Sequence, residues 1–336
     1  MFRKINWGIV GPGNVAQSFM QASLASATGH VVAIGTRSPD RPGLPEAFPG
    51  VRIHGSYQAL LADPALDAVY IATPHNFHSE WAIAAAQAGK HVLCEKPLGT
   101  SADEAQRMIE AASHAGTFLA EAYMYRSHPL TRRVLDIVAA GTLGEIRMIR
   151  SSFGSLAPRR AERLFSPDLA GGGILDVGGY PVTMACLIAA AALGSEEAEP
   201  RMVDGVLHIG ETGVDEWAAA TLAFEGGIVA QLSCSVALQQ DNVLSVMGSK
   251  GRLEVEDFWF GTGKAGGTKT MRMIGIDGST HPVAMFEPAS AYSFQFEAAN
   301  QAIAAGKQQL PFPSLTWSES LRTARILDKW LGGKRV

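Results

Sequence analysis

Over the first third of the chain, short apolar runs alternate with stretches of helical periodicity. Residues 7–10, 31–35, 68–72, 91–94 and 117–122 read as strands with both faces buried. Between them, 15–27, 57–61 and 79–88 read as helical, and Gly89 and Gly116 stand where helices end. Ser101 and Glu104 predict a capping box, and the helix behind it places Ala105, Met108, Ile109 and Ala112 on one face. Strands alternating with helices predict a parallel, doubly wound sheet.

Near Tyr123 the period changes. A helix over 129–140 stops at Gly141, and period-two segments follow. In 227–238, Ile228, Ala230, Leu232, Cys234 and Val236 share one face, while Val229, Gln231, Ser233 and Ser235 share the other. That predicts an antiparallel strand with one apolar and one mostly polar face. Segments 145–153, 201–209, 215–224, 242–247, 252–255 and 271–276 also read as strands. The chain thus divides into an α/β domain over 1–123 and an α+β domain over 124–336 with a large, mostly antiparallel open sheet.

Composition narrows the function. The 336 residues carry a net charge of −4, so no basic surplus points to nucleic acid or an anionic membrane. No run of about 18 apolar residues is evident, and 185–193 reads as a buried helix, so no membrane span is expected. The N-terminus runs directly into the first strand, which predicts a cytoplasmic protein without a signal peptide. Cys94, Cys186 and Cys234 lie far apart in apolar contexts without zinc spacing, so they read as free buried thiols and no metal is expected.

Chemistry enters with Gly11-x-Gly13-x-x-Ala16, which follows the first strand and opens a helix. This is the dinucleotide fingerprint of a Rossmann domain. Gly11 permits the tight turn, Gly13 admits the pyrophosphate, and the helix N-terminus, with Asn14 and Val15, offers free N–H groups. An NAD site usually has a carboxylate at the end of the second strand. Here Thr36, Arg37 and Ser38 stand instead, a set suited to a 2′-phosphate, so NADP is expected, with NAD the alternative. Thr73, Pro74 and His75 follow the third strand, at the edge that faces ligands in such sheets. His78 is either a cofactor contact or a helix cap. Lys96 ends the fourth strand between Glu95 and Pro97, where its ammonium can polarise a reacting oxygen.

In the second half, Gly171-Gly172-Gly173-Ile174-Leu175-Asp176-Val177-Gly178-Gly179-Tyr180-Pro181 combines a glycine run with an acid and a phenol. The glycines allow backbone to pass close to something. Asp176 and Tyr180 share a face if a helix begins there. A cation near Tyr180 would lower its usual pKa of about 10 and suit it to proton transfer. Tyr123 and Arg126 lie at the domain boundary and are candidate substrate contacts, with a hinge ion pair the alternative for Arg126. Arg163 is a further substrate candidate.

These motifs resemble those of the Gfo/Idh/MocA oxidoreductases. The resemblance covers essentially the whole chain and rests on GIVGPGNVA, ATPHNFH, AGKHVLCEKPL, EAYMYRSHP, GGGILDVGGYPV and FQFEAANQAIAAG. Tyrosine at 180, where many members carry histidine, is similar to the branch holding dihydrodiol dehydrogenase, NADP-dependent xylose dehydrogenase and glucose–fructose oxidoreductase. The resemblance implies catalytic Lys96 and Tyr180, substrate contact by Asp176, a supporting role for Glu95, and a cis Lys96–Pro97 bond. It implies hydride transfer between nicotinamide and a carbinol carbon of a sugar, polyol or cyclic diol. A homodimer or homotetramer through the large sheet is expected, with the Gln231, Ser233 and Ser235 face as a candidate contact. Two other readings are an NAD-dependent glycosidase using transient oxidation and a non-catalytic dinucleotide-binding regulator.

Overall fold

The apolar runs of the first third pair into one all-parallel sheet. The structure, a computed structural model, describes residues 3–158 and 162–336. The strands are β1 (Ile5–Val10), β2 (Gly29–Gly35), β3 (Arg52–His54), β4 (Ala68–Ile71), β5 (His91–Cys94) and β6 (Leu119–Glu121), in spatial order β3-β2-β1-β4-β5-β6. This is the doubly wound order that places ligands beyond the strand C-termini. β3 escaped the pattern because it is a three-residue edge strand with exposed Arg52 and Ile53.

The core of this unit is aromatic. Phe19 stacks on Tyr70 at 4.0 Å and meets the edge of Trp7 at 5.4 Å. Helix Ala291–Ala304 completes it, bringing Phe296 to 5.0 Å from Phe19 and 5.7 Å from Trp7. The Trp7 indole N–H donates to Asn300 Oδ1 at 2.7 Å, and the Trp317 indole N–H donates to the Leu119 carbonyl at 2.8 Å. The first unit is therefore Met1–Met124 plus Tyr292–Ser320, and the second is Tyr125–Ala291 plus Leu321–Val336. Residues 292–320 were expected in the second domain. They join the first because Phe296, Ala299, Ala302 and Ile303 finish its core.

The second unit holds β7 (Ile146–Gly154), β8 (Met202–Ile209), β9 (Asp215–Ala223), β10 (Val229–Ser235), β11 (Leu244–Gly248), β12 (Gly251–Val255), β13 (Gly267–Gly275), β14 (Thr280–Glu287) and β15 (Lys334–Arg335). Their order is β14-β13-β12-β11-β7-β10-β9-β8-β15. The sheet is antiparallel except where β10 meets β7 and β15 meets β8. The 227–238 strand is thus antiparallel on its β9 side only, a correction to the expected pairing. Its alternation holds through Cys234 because the face, and not the partner's direction, sets the period. Ser235, expected on the polar face as a candidate contact, is instead fully buried, its hydroxyl donating to the Glu216 carbonyl at 2.8 Å. β14 was missed because no residue along it is fully buried.

Helix Gly179–Ala192 packs against β7 and β10 and is apolar on every side. Together with the turns before it, Pro167–Ala192 is long and apolar enough by composition to cross a membrane, but 89% of its most apolar window is buried within the protein. The expected Ser101 cap forms, and only the return bond of the capping box is shifted by one residue. Ser101 Oγ accepts from Glu104 N at 3.3 Å, while the Glu104 carboxylate accepts from Thr100 N at 2.8 Å.

Candidate active site

In the first unit the C-terminal ends of β1, β2, β4 and β5 gather most of the residues expected to bind cofactor. Gly11 has φ +87°, and a Cβ there would lie 3.1 Å from the Ala72 carbonyl. Its N–H donates to the Gly35 carbonyl at 3.2 Å, joining the ends of β1 and β2. Gly13 caps helix Asn14–Leu24, and a Cβ on it would meet nothing within 4 Å. The helix has no side-chain cap and no acid in its first turn. Free N–H groups facing open space make an anion site, and they fit the pyrophosphate of a dinucleotide.

Beyond β2, Arg37 and Ser38 are exposed, whereas Thr36 is buried and its hydroxyl accepts the Ser38 N–H at 3.1 Å. Thr36 thus shapes the loop that presents the other two. Arg37 lies 5.9 Å from the Phe77 ring centre and shares a cavity of about 160 Å³ with Thr73, Pro74, Phe77, Glu80 and Trp81. Arg41, which the motif reading passed over, donates to the Pro12 carbonyl at 2.9 Å and ties this loop to the glycine turn.

The lysine segment is held from several sides. The Lys96–Pro97 bond is cis. His78 is fully buried, with Nδ1 2.7 Å from the Pro97 carbonyl and Nε2 3.0 Å from the Thr73 carbonyl. Burial and the neighbouring His75 push its pKa down to about 3. Its ring therefore makes no helix cap; it links the loop after β4 to the loop after β5. The Tyr70 hydroxyl donates to Glu95 Oε1, and Glu121 Oε1 accepts the Leu98 N–H at 2.9 Å. Burial, with the Glu95 charge, also raises the pKa of Tyr292. Tyr70, Glu121 and Tyr292 were not singled out from sequence. Tyr70 carried the clearest signal, a phenol inside an apolar strand. His75 and Tyr123 are buried in this same unit.

In the second unit, Ile174–Gly178 forms a π-helical turn that runs into helix Gly179–Ala192. Asp176 lies on the turn, and its Oδ1 accepts from both Arg163 Nη1 and Nη2 at 3.2 Å. Tyr180 is enclosed by rings, with Phe153 at 4.9 Å, Trp259 at 5.5 Å and Tyr125 at 5.8 Å between centres. The Tyr125 hydroxyl is 2.6 Å from Thr183 Oγ1, and Arg126 donates to the Thr183 carbonyl at 3.5 Å. Tyr125, Arg126, Arg163, Asp176 and Tyr180 all lie in this unit. The sequence reading missed Trp259 and also Asp215, whose carboxylate accepts the Ile174 N–H at 2.7 Å.

Among the described residues, no group of three or more His, Cys, Asp or Glu side chains forms a metal site.

Residues 5–123 match the oxidoreductase family with an NAD-binding Rossmann fold, and 131–254 match the GFO/IDH/MocA C-terminal domain. The chain is 33% identical to D-xylose 1-dehydrogenase (NADP(+)) 2 of Haloferax volcanii, over 96% of this chain and 95% of that one. It is 30% identical to trans-1,2-dihydrobenzene-1,2-diol dehydrogenase of Xenopus tropicalis, over 97% and 96%. The 3-ketoreductase KijD10 of Actinomadura kijaniata, crystallised with NADP and TDP-benzene, superposes with a TM-score of 0.87 at 31% identity, covering 99% of this chain and 98% of that one.

Proposed function

The chain belongs to the Gfo/Idh/MocA oxidoreductase family, and from that premise we propose that it is an NADP-preferring dehydrogenase acting on a carbinol carbon of a sugar, polyol or cyclic diol. The observation that carries this reading is the Lys96 segment, fastened by His78 and Glu121 at the same sheet edge as the uncapped helix behind Gly13. The cofactor supplies the hydride acceptor when it is bound. The Gly13 turn and the helix N–H groups of Asn14 and Val15 hold its pyrophosphate, and Arg37 and Ser38 take the 2′-phosphate. Thr73, Pro74 and His75 line its nicotinamide end.

During oxidation Tyr180 takes the hydroxyl proton. The Lys96 ammonium stabilises negative charge developing on that oxygen. Glu95 supports Lys96, and Asp176, paired with Arg163, orients substrate hydroxyls. Tyr123 and Arg126 are further substrate-site candidates. The protein acts in the cytoplasm as a homodimer or homotetramer joined through the outer face of its large sheet. A polar recess of about 410 Å³ lined by Arg150, Ser152, Gln231, Ser233, Gln240 and Asp241 marks that face.

The test is NADPH formation, followed by absorbance at mildly alkaline pH, with aldoses, inositols and cyclic diols. Turnover with one class, lost about 100-fold or more in Lys96→Met, is the expected result. Tight cofactor binding without turnover in either direction would overturn the dehydrogenase reading in favour of a glycosidase or a regulator.

A further inference from the structure

Two glycines of the run before Asp176, Gly172 and Gly173, lie against a carboxylate of the protein itself. Asp215 is the first residue of β9 and is only 3% exposed. Its Oδ2 accepts the Ile174 N–H at 2.7 Å, and the Gly173 N–H also bonds to it. Gly172 has φ +104°, and a Cβ there would collide with Asp215 Oδ1; one on Gly173 would come within 3.4 Å of Oδ2. Gly171 is closed off differently, by the Leu164 carbonyl at 2.5 Å from its would-be Cβ. Gly172 is thus needed to seat the Asp215 side chain, and Gly173 packs against it at van der Waals distance.

The residues assigned to the chemistry come directly after this seat in the chain. Ile174, whose N–H the carboxylate binds, begins the π-helical turn that carries Asp176. That turn continues into the helix carrying Tyr180. The Asp176 N–H donates back to the Gly172 carbonyl at 3.1 Å, so the seat and the turn form one hydrogen-bonded unit. π-helical turns inside α-helices are frequent at functional sites.

We propose that Asp215 is a positioning residue: its carboxylate anchors the start of the π-helical turn and thereby sets where Asp176 and Tyr180 present their side chains. The proposal rests on the roles of those two residues in the proposed dehydrogenase reaction. Burial raises the pKa of Asp215 to about 6, against the lowering effect of its bonds to Ile174, its own N–H and Gly173. A charge kept at neutral pH in so buried a place costs folding free energy, which is consistent with a positional role.

The experiment compares Asp215→Ala, Asp215→Asn, Asp215→Glu and Tyr180→Phe in the full chain, with whichever of the aldoses, inositols and cyclic diols is turned over. Asp215→Ala is expected to lose about 100-fold in kcat, the scale of a 1 Å misplacement, while NADP affinity, read by fluorescence titration, stays within about two-fold. Asp215→Asn keeps an oxygen for the Ile174 N–H and is expected to recover to within about ten-fold of the parent. A merely structural residue would lower Tm without this kcat loss in the folded fraction, and that result overturns the proposal. If Asp215→Ala does not fold, Asp215→Glu decides, because it keeps the charge but drives it one methylene deeper against Gly172. Loss of kcat with NADP binding intact supports the proposal, and unchanged kcat overturns it. Full activity in Tyr180→Phe overturns both the Tyr180 role and the positioning role. An inactive Tyr180→Phe beside a fully active Asp215→Ala and Asp215→Glu overturns only the latter.

Discussion

His78 is bound to the carbonyl of Pro97, with Nδ1 2.7 Å from that oxygen, while its other ring nitrogen faces the Thr73 carbonyl at 3.0 Å. One fully buried imidazole therefore couples the loop after β4 to the segment that carries Lys96. The neutral ring carries one N–H, so it donates a hydrogen bond to one of the two carbonyls and only packs against the other. His78→Ala leaves the accepting carbonyl without its donor and opens a cavity. The expected loss is about 3 kcal/mol in urea-induced unfolding. A variant as stable as the parent would remove His78 from the support of Lys96.

Gly11 and Gly13 should respond differently to the same substitution. Gly11→Ala forces a left-handed φ on alanine and crowds the Ala72 carbonyl, so it is expected to lower Tm. Gly13→Ala has room for its methyl group and should change Tm little, yet weaken NADP binding at least ten-fold by occupying the pyrophosphate's place. Thermal melts and cofactor titrations of both variants check this. Equal cofactor affinity in Gly13→Ala would move the phosphate site away from the helix N-terminus.

A third expectation concerns pH. His128 caps helix Pro129–Ala139 by accepting the Leu130 N–H on Nδ1 at 3.0 Å, which requires that nitrogen to be unprotonated. Burial lowers its pKa to about 4, against about 6.5 when unfolded. Between those values the unfolded chain binds the extra proton, so stability falls as pH drops through that window. Asp215 acts oppositely, because a folded pKa near 6 favours the folded state as pH drops from 6 towards 4. The His128 contribution is isolated by His128→Asn, which keeps a capping oxygen but does not titrate. The difference in Tm between His128→Asn and the parent should shift in favour of the variant from pH 6.5 to pH 4. A constant difference would show that His128 does not titrate in that range.

The return of helix Ala291–Ala304 to the first unit gives a fourth prediction. Phe296 is fully buried between Trp7 and Phe19. Phe296→Ala should cost about 3–5 kcal/mol. Protection from amide exchange should fall in β1 and helix Asn14–Leu24 before it falls in the second unit. Loss confined to the second unit would contradict the assignment of 292–320.

The order of local elements was readable because each depends on a short-range period. The apolar runs of β1, β2, β4 and β5 are buried on both faces, and the Gly11–Gly13 turn follows directly from strand to helix, so spacing alone placed them. The candidate chemistry was also legible, since Lys96, Asp176 and Tyr180 each stand in a distinctive local motif. Contacts across long separations were not encoded in any local period. Trp7 finds Asn300 across 293 positions, and Ile174 finds Asp215 across 41. β10 takes a parallel neighbour in β7 although its alternation reads the same beside an antiparallel one. By itself the sequence determined most of the strands and helices and where the glycine turn after β1 lies, and it singled out the side chains proposed to carry the chemistry. Only the tertiary structure decided that 292–320 complete the first core and that Asp215 occupies the space a side chain at Gly172 would need. Those outcomes depend on which buried surfaces meet in three dimensions.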